Sequence, residues 1–338
     1  MANNQFYIAQ AYRRVFTAGS KPLKDFEQTL QKLKFKNIGL PSITLNSPYL
    51  WWIYNWLSAH LACLRMPKNG TIVLQYPEQR HIESLFKKAS KRNNKVIVLI
   101  HDLDELRGFT PKAQQVLKNA DVLISHTSKM SEYLNTTYPQ AQTIELGLFD
   151  YILPQTSIPN STPTPSHTSI VFAGNLSKAL FLTKLPESNI ISFNIFGPHL
   201  PKLFTNSSSI CYHGVCAPDE LPSKMQKYAF GLVWDGDSAD ECSGEFGTYL
   251  QYNIPFKSVS YLSAGIPIIV WSKMGIAKFV KEHKIGVCVN SLSEIEPILA
   301  KMTNEQYLQM RNNVDKIRHL ITTGHFAQDA IKKALTLI

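Results

Sequence analysis

The sequence predicts an α/β protein of two Rossmann-like, doubly wound domains facing a cleft. Three observations carry this. The first half of the chain alternates short apolar runs with amphipathic stretches. A Pro/Ser/Thr-rich segment, "LPQTSIPNSTPTPSHTS", follows at residues 153–169. After it the alternation begins again.

The first domain is expected over residues 1–152. "QFYIAQ" reads as its opening strand, and Leu23, Phe26, Leu30 and Leu33 share one face of a helix. "GTIVLQYP", "KVIVLIHD" and "DVLISHT" are further strands. Their continuous apolar cores suit a parallel sheet covered on both faces. "HIESLFKKASKR" and "PKAQQVLKNA" are the helices between them. The segment Tyr49 to Met66 places Trp52, Trp56, Ala59 and Cys63 at helical spacing. Asn55, Ser58, His60 and Arg65 interrupt it, so it falls short of the roughly 20 apolar residues of a membrane span. A buried helix is the first expectation for it, a protein interface the second and a membrane surface the third.

Residues 153–169 read as a linker. The second domain, 170–324, contributes the strands "SIVFAGN", "IISFNIFG", "YAFGLVWD", "IPIIVW" and "GVCVN". Two helices close the chain, broken at Gly324. Thr303 and Gln306 have capping-box spacing in the first, and the second, 325–338, is expected to pack back on the first domain.

Composition narrows the function. With 338 residues, 44% apolar and 18% charged, the chain is globular. The net charge of +10 suits an anionic partner. It is scattered, however, and no nucleic-acid-binding signature accompanies it. Its densest stretch, Phe86 to Lys95, reads as a solvated helix end. The five cysteines are odd in number and form no C-x-x-C pair, which argues against zinc or a disulfide framework. No secretory signal is visible, so a cytoplasmic protein is expected.

Ligands of doubly wound sheets bind at the carboxyl ends of strands, so polar residues just after strands are the candidates. Thr17 and Gly19 lie in "TAGSKP", an anion loop or an ordinary turn. His101 and Asp102 follow "KVIVLI", as an acid–base pair or as a helix cap with a structural histidine. Asn175 and Lys178 follow "SIVFAG" and could face an anion. Tyr212 could stack on a base or pack in the core. The acidic loop Asp235 to Glu245 has no compact metal-ligand pattern. The helix in "FKSVSYLSAGIPIIV" opens with Lys257 and Ser258, where acidic residues would suit the dipole. Such a start suits a ligand that brings the negative charge itself.

At this point the chain resembles a known family. "FAGNLSK", "YHGV…DELP", "SGEFGTYLQYNIPFKSVSYLSAGIPIIVW" and "HDLDELR" together are similar to bacterial accessory glucosyltransferases that act second in O-glycosylating serine-rich repeat adhesins. They are also similar to the related β-1,6-galactofuranosyltransferases. The resemblance implies the GT-B fold and a metal-independent transfer of glucose, or N-acetylglucosamine, from a UDP-sugar to an N-acetylglucosamine-bearing Ser or Thr. It implies a homotetramer, no cofactor, and donor contacts from Ser243, Gly244, Asn253, Lys257 and Ser258. Asn253 and Lys257 match the subfamily pattern N-x-P-x-K. Ser260 departs from the wider GT-B pattern, which has a ribose-binding glutamate there. Asp102 is the expected base, His101 its partner or substitute, and Glu245 the next candidate. Galactofuranosyl transfer and a non-catalytic two-domain binding protein are the other readings.

Overall fold

The computed structural model describes residues 4–13, 18–77, 79–108, 114–153, 168–217 and 220–338. The expected linker therefore lies outside the described residues from 154 to 167. Two compact units emerge: one runs to Gly147 and includes Phe326–Ile338, the other spans Leu148–His325. Leu148–Leu153 thus groups with the second unit rather than the first. The reason is local: the Tyr151 ring stacks on Phe256 at 5.2 Å, and Tyr151 N donates to Ile321 O.

The first unit is built on a parallel sheet of β1 (Gln5–Tyr7), β3 (Lys36–Asn37), β5 (Thr71–Tyr76), β6 (Lys95–Ile100), β7 (Val122–Ser125) and β8 (Gln142–Glu145). Its order is β3-β1-β5-β6-β7-β8. A parallel pair, β2 (Ala11–Arg13) and β4 (Ile43–Leu45), lies beside it. Helices α1 (Lys21–Lys32), α2 (Pro48–Arg65), α3 (Ile82–Lys91) and α4 (Ser128–Thr137) connect the strands, and α11 (His325–Thr336) runs almost wholly within this unit. Leu23, Phe26 and Leu30 of α1 are buried, as the periodicity predicted. "PKAQQVLKNA" is not an α-helix where it is described: Gln114–Asn119 forms a 3-10 turn. Strands β2, β3, β4 and β8 have two to four residues, too few to leave a period.

The aromatic helix is the main correction. α2 buries Asn55, Ser58, Ala59 and Ala62 and turns Trp52 and Trp56 outward. Hydrogen bonding explains the orientation. Asn55 accepts from Ala11 N and donates to Ala11 O, the Trp51 indole donates to Ala11 O, and Ser58 Oγ accepts from Leu40 N. Rotating the helix to bury the tryptophans would break these bonds.

α1 holds a second polar anchor, Glu27, which is 2% exposed. Its Oε1 accepts from the Tyr12 hydroxyl at 2.5 Å and from Gln10 N at 3.1 Å. Burial pushes its carboxyl up to about 7, although these two bonds and Lys24 pull the other way. Between about pH 4.5 and 7 the folded chain keeps a proton that the unfolded chain has released. Stability is therefore full below that window and falls as pH rises through it. Glu27→Gln keeps an oxygen acceptor and removes the titration. It is expected to stabilise the protein at pH 8 by on the order of 2–3 kcal/mol and to change little at pH 5. Thermal melts at both pH values check this, and an equal offset at both rejects it.

The second unit carries β9 (Ser169–Ala173), β10 (Ser192–Phe196), β11 (Ile210–Tyr212), β12 (Phe230–Val233), β13 (Ile268–Trp271) and β14 (Gly286–Val289). The order, β11-β10-β9-β12-β13-β14, is the Rossmann 3-2-1-4-5-6 arrangement. Helices α5 (Leu221–Met225), α6 (Gly244–Tyr249), α7 (Phe256–Ser263), α8 (Ala277–His283), α9 (Ile295–Lys301) and α10 (Asn304–Thr323) complete it. The capping box of Thr303 and Gln306 opens α10, and Gly324 ends it at φ 84°. Phe172, Phe181, Phe230 and Trp234 are fully buried in its core.

α7 lies close on the sheet because Gly231 has no side chain. A Cβ there would come within 2.2 Å of the Tyr261 ring. Gly231→Ala is expected to cost about 1–3 kcal/mol through this overlap, read as a lower denaturant midpoint. An unchanged midpoint would mean that α7 can shift freely.

Candidate active site

In a sheet of this order the chain turns in opposite directions after β9 and β12, and the crevice outside their carboxyl ends takes the ligand. Several sequence-predicted residues meet at these two ends. The β9 strand runs into a 3-10 turn, Leu176–Lys178, capped by Asn175. Asn175 Oδ1 accepts from Ser177 N at 3.2 Å and from Ser177 Oγ at 2.9 Å. The β12 strand runs into Trp234, Asp235 and Gly236. Gly236 N donates to Lys178 O and Gly236 O accepts from Phe181 N, both at 3.2 Å, so the two loops are tied together. Gly236 sits at φ 111°, and a Cβ there would lie 2.4 Å from Ser243 O. Only glycine allows this approach.

Lys257 reaches this junction from the first turn of α7. Its ammonium donates to Trp234 O at 3.0 Å and to Asp235 Oδ1 at 2.7 Å, and lies 4.7 Å above the centre of the Phe172 ring. The sequence implied that a ligand alone would answer this charge. The fold supplies an internal counter-ion in Asp235, a role that sequence reasoning missed. No spacing could have revealed it, because the two residues lie 22 apart in the chain and meet only where the fold brings α7 to the end of β12. An ammonium has three donors, and these two partners leave one for a further acceptor.

Two buried oxygens near Lys257 lack hydrogen-bond partners: Asn253 Oδ1 and Ser260 Oγ. Such orphans cost about 1–3 kcal/mol each unless a ligand or water satisfies them. Ser258 is different. It is fully buried and its hydroxyl donates to Pro255 O. Its hydroxyl is thus engaged within its own helix start.

The glycine-rich loop is ordered by its own groups. Ser243 Oγ donates to the Asp237 carboxylate, and this bond holds the Asp237 carboxyl below its usual range. Gly244, at φ 69°, has open space around it, and Glu245 is exposed in the first turn of α6. The Lys178 ammonium lies 4.3 Å from the Phe246 ring centre, a cation–π contact between the turn after β9 and α6. Tyr212 ends the edge strand β11, two strands from β9. Its hydroxyl donates to Gly197 O, Gly197 N donates to Gly214 O, and Gly174 N to Phe196 O. These bonds join the ends of β9, β10 and β11 into one ledge.

Gly19, His101 and Asp102 belong to the first unit. Gly19 is exposed in the 3-10 turn Ala18–Ser20 with nothing near its missing Cβ. Thr17 lies outside the described residues. His101 is buried, with Nε2 2.8 Å from Gln75 Oε1. Burial, then the nearby His126, pushes its pKa down to about 3. So enclosed a ring is poorly placed to take a proton from a hydroxyl, which favours the structural role over the acid–base one among the two expected for His101. Asp102 is half-buried and paired with Arg107 at 2.9 Å.

Models of two protein families match almost the whole chain. The glucosyltransferase 3-like N-terminal domain matches residues 5–148, and the glucosyltransferase 3-like C-terminal domain matches residues 170–334. The chain belongs to the glucosyltransferase 3-like family. It is a glycosyltransferase of GT-B fold, as the motif resemblance implied. Among its relatives is beta-1,6-galactofuranosyltransferase WbbI of Escherichia coli (strain K12), 29% identical over 307 residues, 89% of this chain and 90% of that one. Glucosyltransferase 3 of Streptococcus gordonii is 31% identical over 173 residues, 49% of each chain. Among solved structures, sucrose-phosphate synthase from Thermosynechococcus elongatus superposes with a TM-score of 0.61 at 13% identity, over 98% of this chain and 99% of that one. T4 phage BGT, in complex with its UDP-glucose substrate, gives 0.57 at 14% identity, over 97% and 99%. At these identities the structural likeness speaks for the fold of this glucosyltransferase 3-like chain.

Proposed function

We propose that this glycosyltransferase moves glucose from UDP-glucose to N-acetylglucosamine already linked to Ser or Thr of a serine-rich repeat adhesin, without a metal ion. The observation that carries the reading is the Lys257 ammonium at the carboxyl ends of β9 and β12. A diphosphate there takes the third donor of Lys257 and competes with Asp235 for the others. The amino end of α7 adds a favourable dipole of about 0.3–1 kcal/mol for an anion. A charge-assisted bond from the lysine contributes about 1.5–3 kcal/mol. Asn253 Oδ1 and Ser260 Oγ are acceptors that donor hydroxyls could satisfy. In the reaction, an acceptor hydroxyl attacks the anomeric carbon as the carbon–oxygen bond to UDP breaks. UDP leaves with the bonding electrons, held by Lys257, and the hydroxyl proton passes to a carboxylate, Asp102 or, failing that, Glu245.

A second reading, galactofuranosyl transfer to a surface glycan, is favoured by the extent of the match to WbbI, 90% of that chain. A donor screen separates the two. UDP release is measured with UDP-glucose, UDP-N-acetylglucosamine and UDP-galactofuranose, each with an N-acetylglucosaminyl serine-repeat peptide. Release with UDP-glucose alone is expected. Release only with the furanose donor moves the enzyme to the second reading, and binding of UDP without turnover of any donor reduces it to a binding protein. The same assay in EDTA is expected to keep its rate, and loss restored by Mn²⁺ would reject the metal-free mechanism.

A further inference from the structure

The parallel sheet of the second unit forks at its middle. β9 stays paired with β10 as far as Ala173 and Phe196, and β12 stays paired with β13 as far as Val233 and Val270. Between β9 and β12 the pairing ends sooner, at Val171 and Gly231. Alternate residues of a parallel strand turn their backbone polar groups to the same neighbour. Ser169 O accepts from Ala229 N on the β12 side, while Gly174 N turns the other way, to Phe196 O of β10. Ala173 therefore faces the β12 side, at the level where β12 has moved away. It is 5% exposed, and a buried amide without an acceptor is costly.

Tyr261 of α7 supplies that acceptor. It is fully buried, and its hydroxyl oxygen accepts from Ala173 N at 2.8 Å and lies 3.5 Å from Ala173 O. Its ring lies on Gly231, the last residue of β12 paired with β9, where even a Cβ would come within 2.2 Å of it. One side chain thus touches both arms of the fork, β12 through its ring and β9 through its hydroxyl. Packing alone would be served by phenylalanine, as Phe172, Phe181 and Phe230 show in the same core. Lys257 stands one helical turn earlier on the same face. Its ammonium lies over Phe172, the residue before Ala173, and donates to Trp234 O just beyond β12. α7 spans the fork, with Tyr261 at its base and Lys257 at its mouth. Tyr307 of α10 offers a comparison. It is 1% exposed, and its hydroxyl donates to Ala229 O at 3.0 Å, at the amino end of β12 and away from the crevice.

We propose that Tyr261 is a positioning residue of the donor crevice. Its hydroxyl takes the place of a ladder bond between β9 and β12, sets the width of the fork and keeps the end of β9 beneath the Lys257 ammonium. The inference rests on the reading of Lys257 as the diphosphate partner. Tyr261→Phe keeps the ring and removes the hydroxyl. Its UDP affinity, measured by calorimetry, is expected to fall about tenfold, with the donor KM raised in proportion and the acceptor KM unmoved. Tyr307→Phe is expected to lower the denaturant midpoint to a similar extent and to leave UDP affinity unchanged. Gly231→Ala pushes the ring off the strand while keeping the hydroxyl. It should weaken UDP binding in the same sense, and it decides the matter where Tyr261→Phe does not fold. No loss of UDP affinity in these crevice variants overturns the proposal, and so does an equal loss in Tyr307→Phe. Lys257→Ala in the same assay separates this inference from the reading beneath it. Unchanged affinity there overturns that reading, whereas a loss there with none in Tyr261→Phe overturns the role of Tyr261 alone.

Discussion

Lys257→Ala is expected to weaken UDP binding about tenfold or more and to lower turnover by a larger factor. A lost charge-assisted bond of about 1.5–3 kcal/mol corresponds to roughly ten- to hundredfold in affinity. The diphosphate gains charge as the sugar departs, so the lysine matters more in the transition state than in the ground state. The structure adds a second effect. Lys257 and Asp235 are largely buried as a pair, and removing the cation leaves Asp235 facing the same crevice as the diphosphate. Asp235→Asn alone should therefore leave UDP affinity equal or slightly higher, and combining it with Lys257→Ala should recover part of the loss. Calorimetry with UDP, alongside steady-state rates, checks both. Unchanged UDP affinity in Lys257→Ala would remove this residue from the donor site.

Asp102→Asn is expected to cut turnover by about 10²–10⁴-fold, the usual contribution of a positioned general base, and to leave UDP affinity unaltered. Asp102 belongs to the first unit, while the nucleotide residues proposed above belong to the second. The ion pair with Arg107 supplies an internal control. If Asp102 serves only to hold Arg107, then Asp102→Asn and Arg107→Gln should lower activity alike. If Asp102 is the base, Arg107→Gln keeps the carboxylate and most of the turnover. Circular dichroism of both variants shows that they are folded. Near-normal turnover of Asp102→Asn transfers the role to Glu245, which is exposed at the start of α6.

The central strands of both sheets were legible in the sequence because they are buried on both faces. "KVIVLI" and "IPIIV" are continuous apolar runs bounded by turn residues, and such runs carry their own signal. The capping box at Thr303 and the stop at Gly324 were legible because caps are local chemistry. The short strands β2, β3 and β4 were not, since a pairing of two or three residues depends on the partner strand rather than on its own pattern. Lys257 could be singled out for the same local reason as the caps: a cation stood in a first helical turn where an anion was expected.

The sequence by itself determined two doubly wound sheets and the positions after strands where ligand chemistry would gather. Hydrophobic period, helix caps and glycine turns act within a few residues of one another, and each is written locally. Only the tertiary structure decided what those positions do. It paired Lys257 with Asp235 at the carboxyl end of β12, enclosed His101 against Gln75 until its ring became a very weak base, and buried Glu27 beside Tyr12. It also turned the tryptophans of α2 outward, because Asn55 and Ser58 had backbone partners to satisfy inside. Charge pairing and desolvation depend on distance and burial in space, and residues 15 or more apart in the chain carry no mark of either until the fold brings them together.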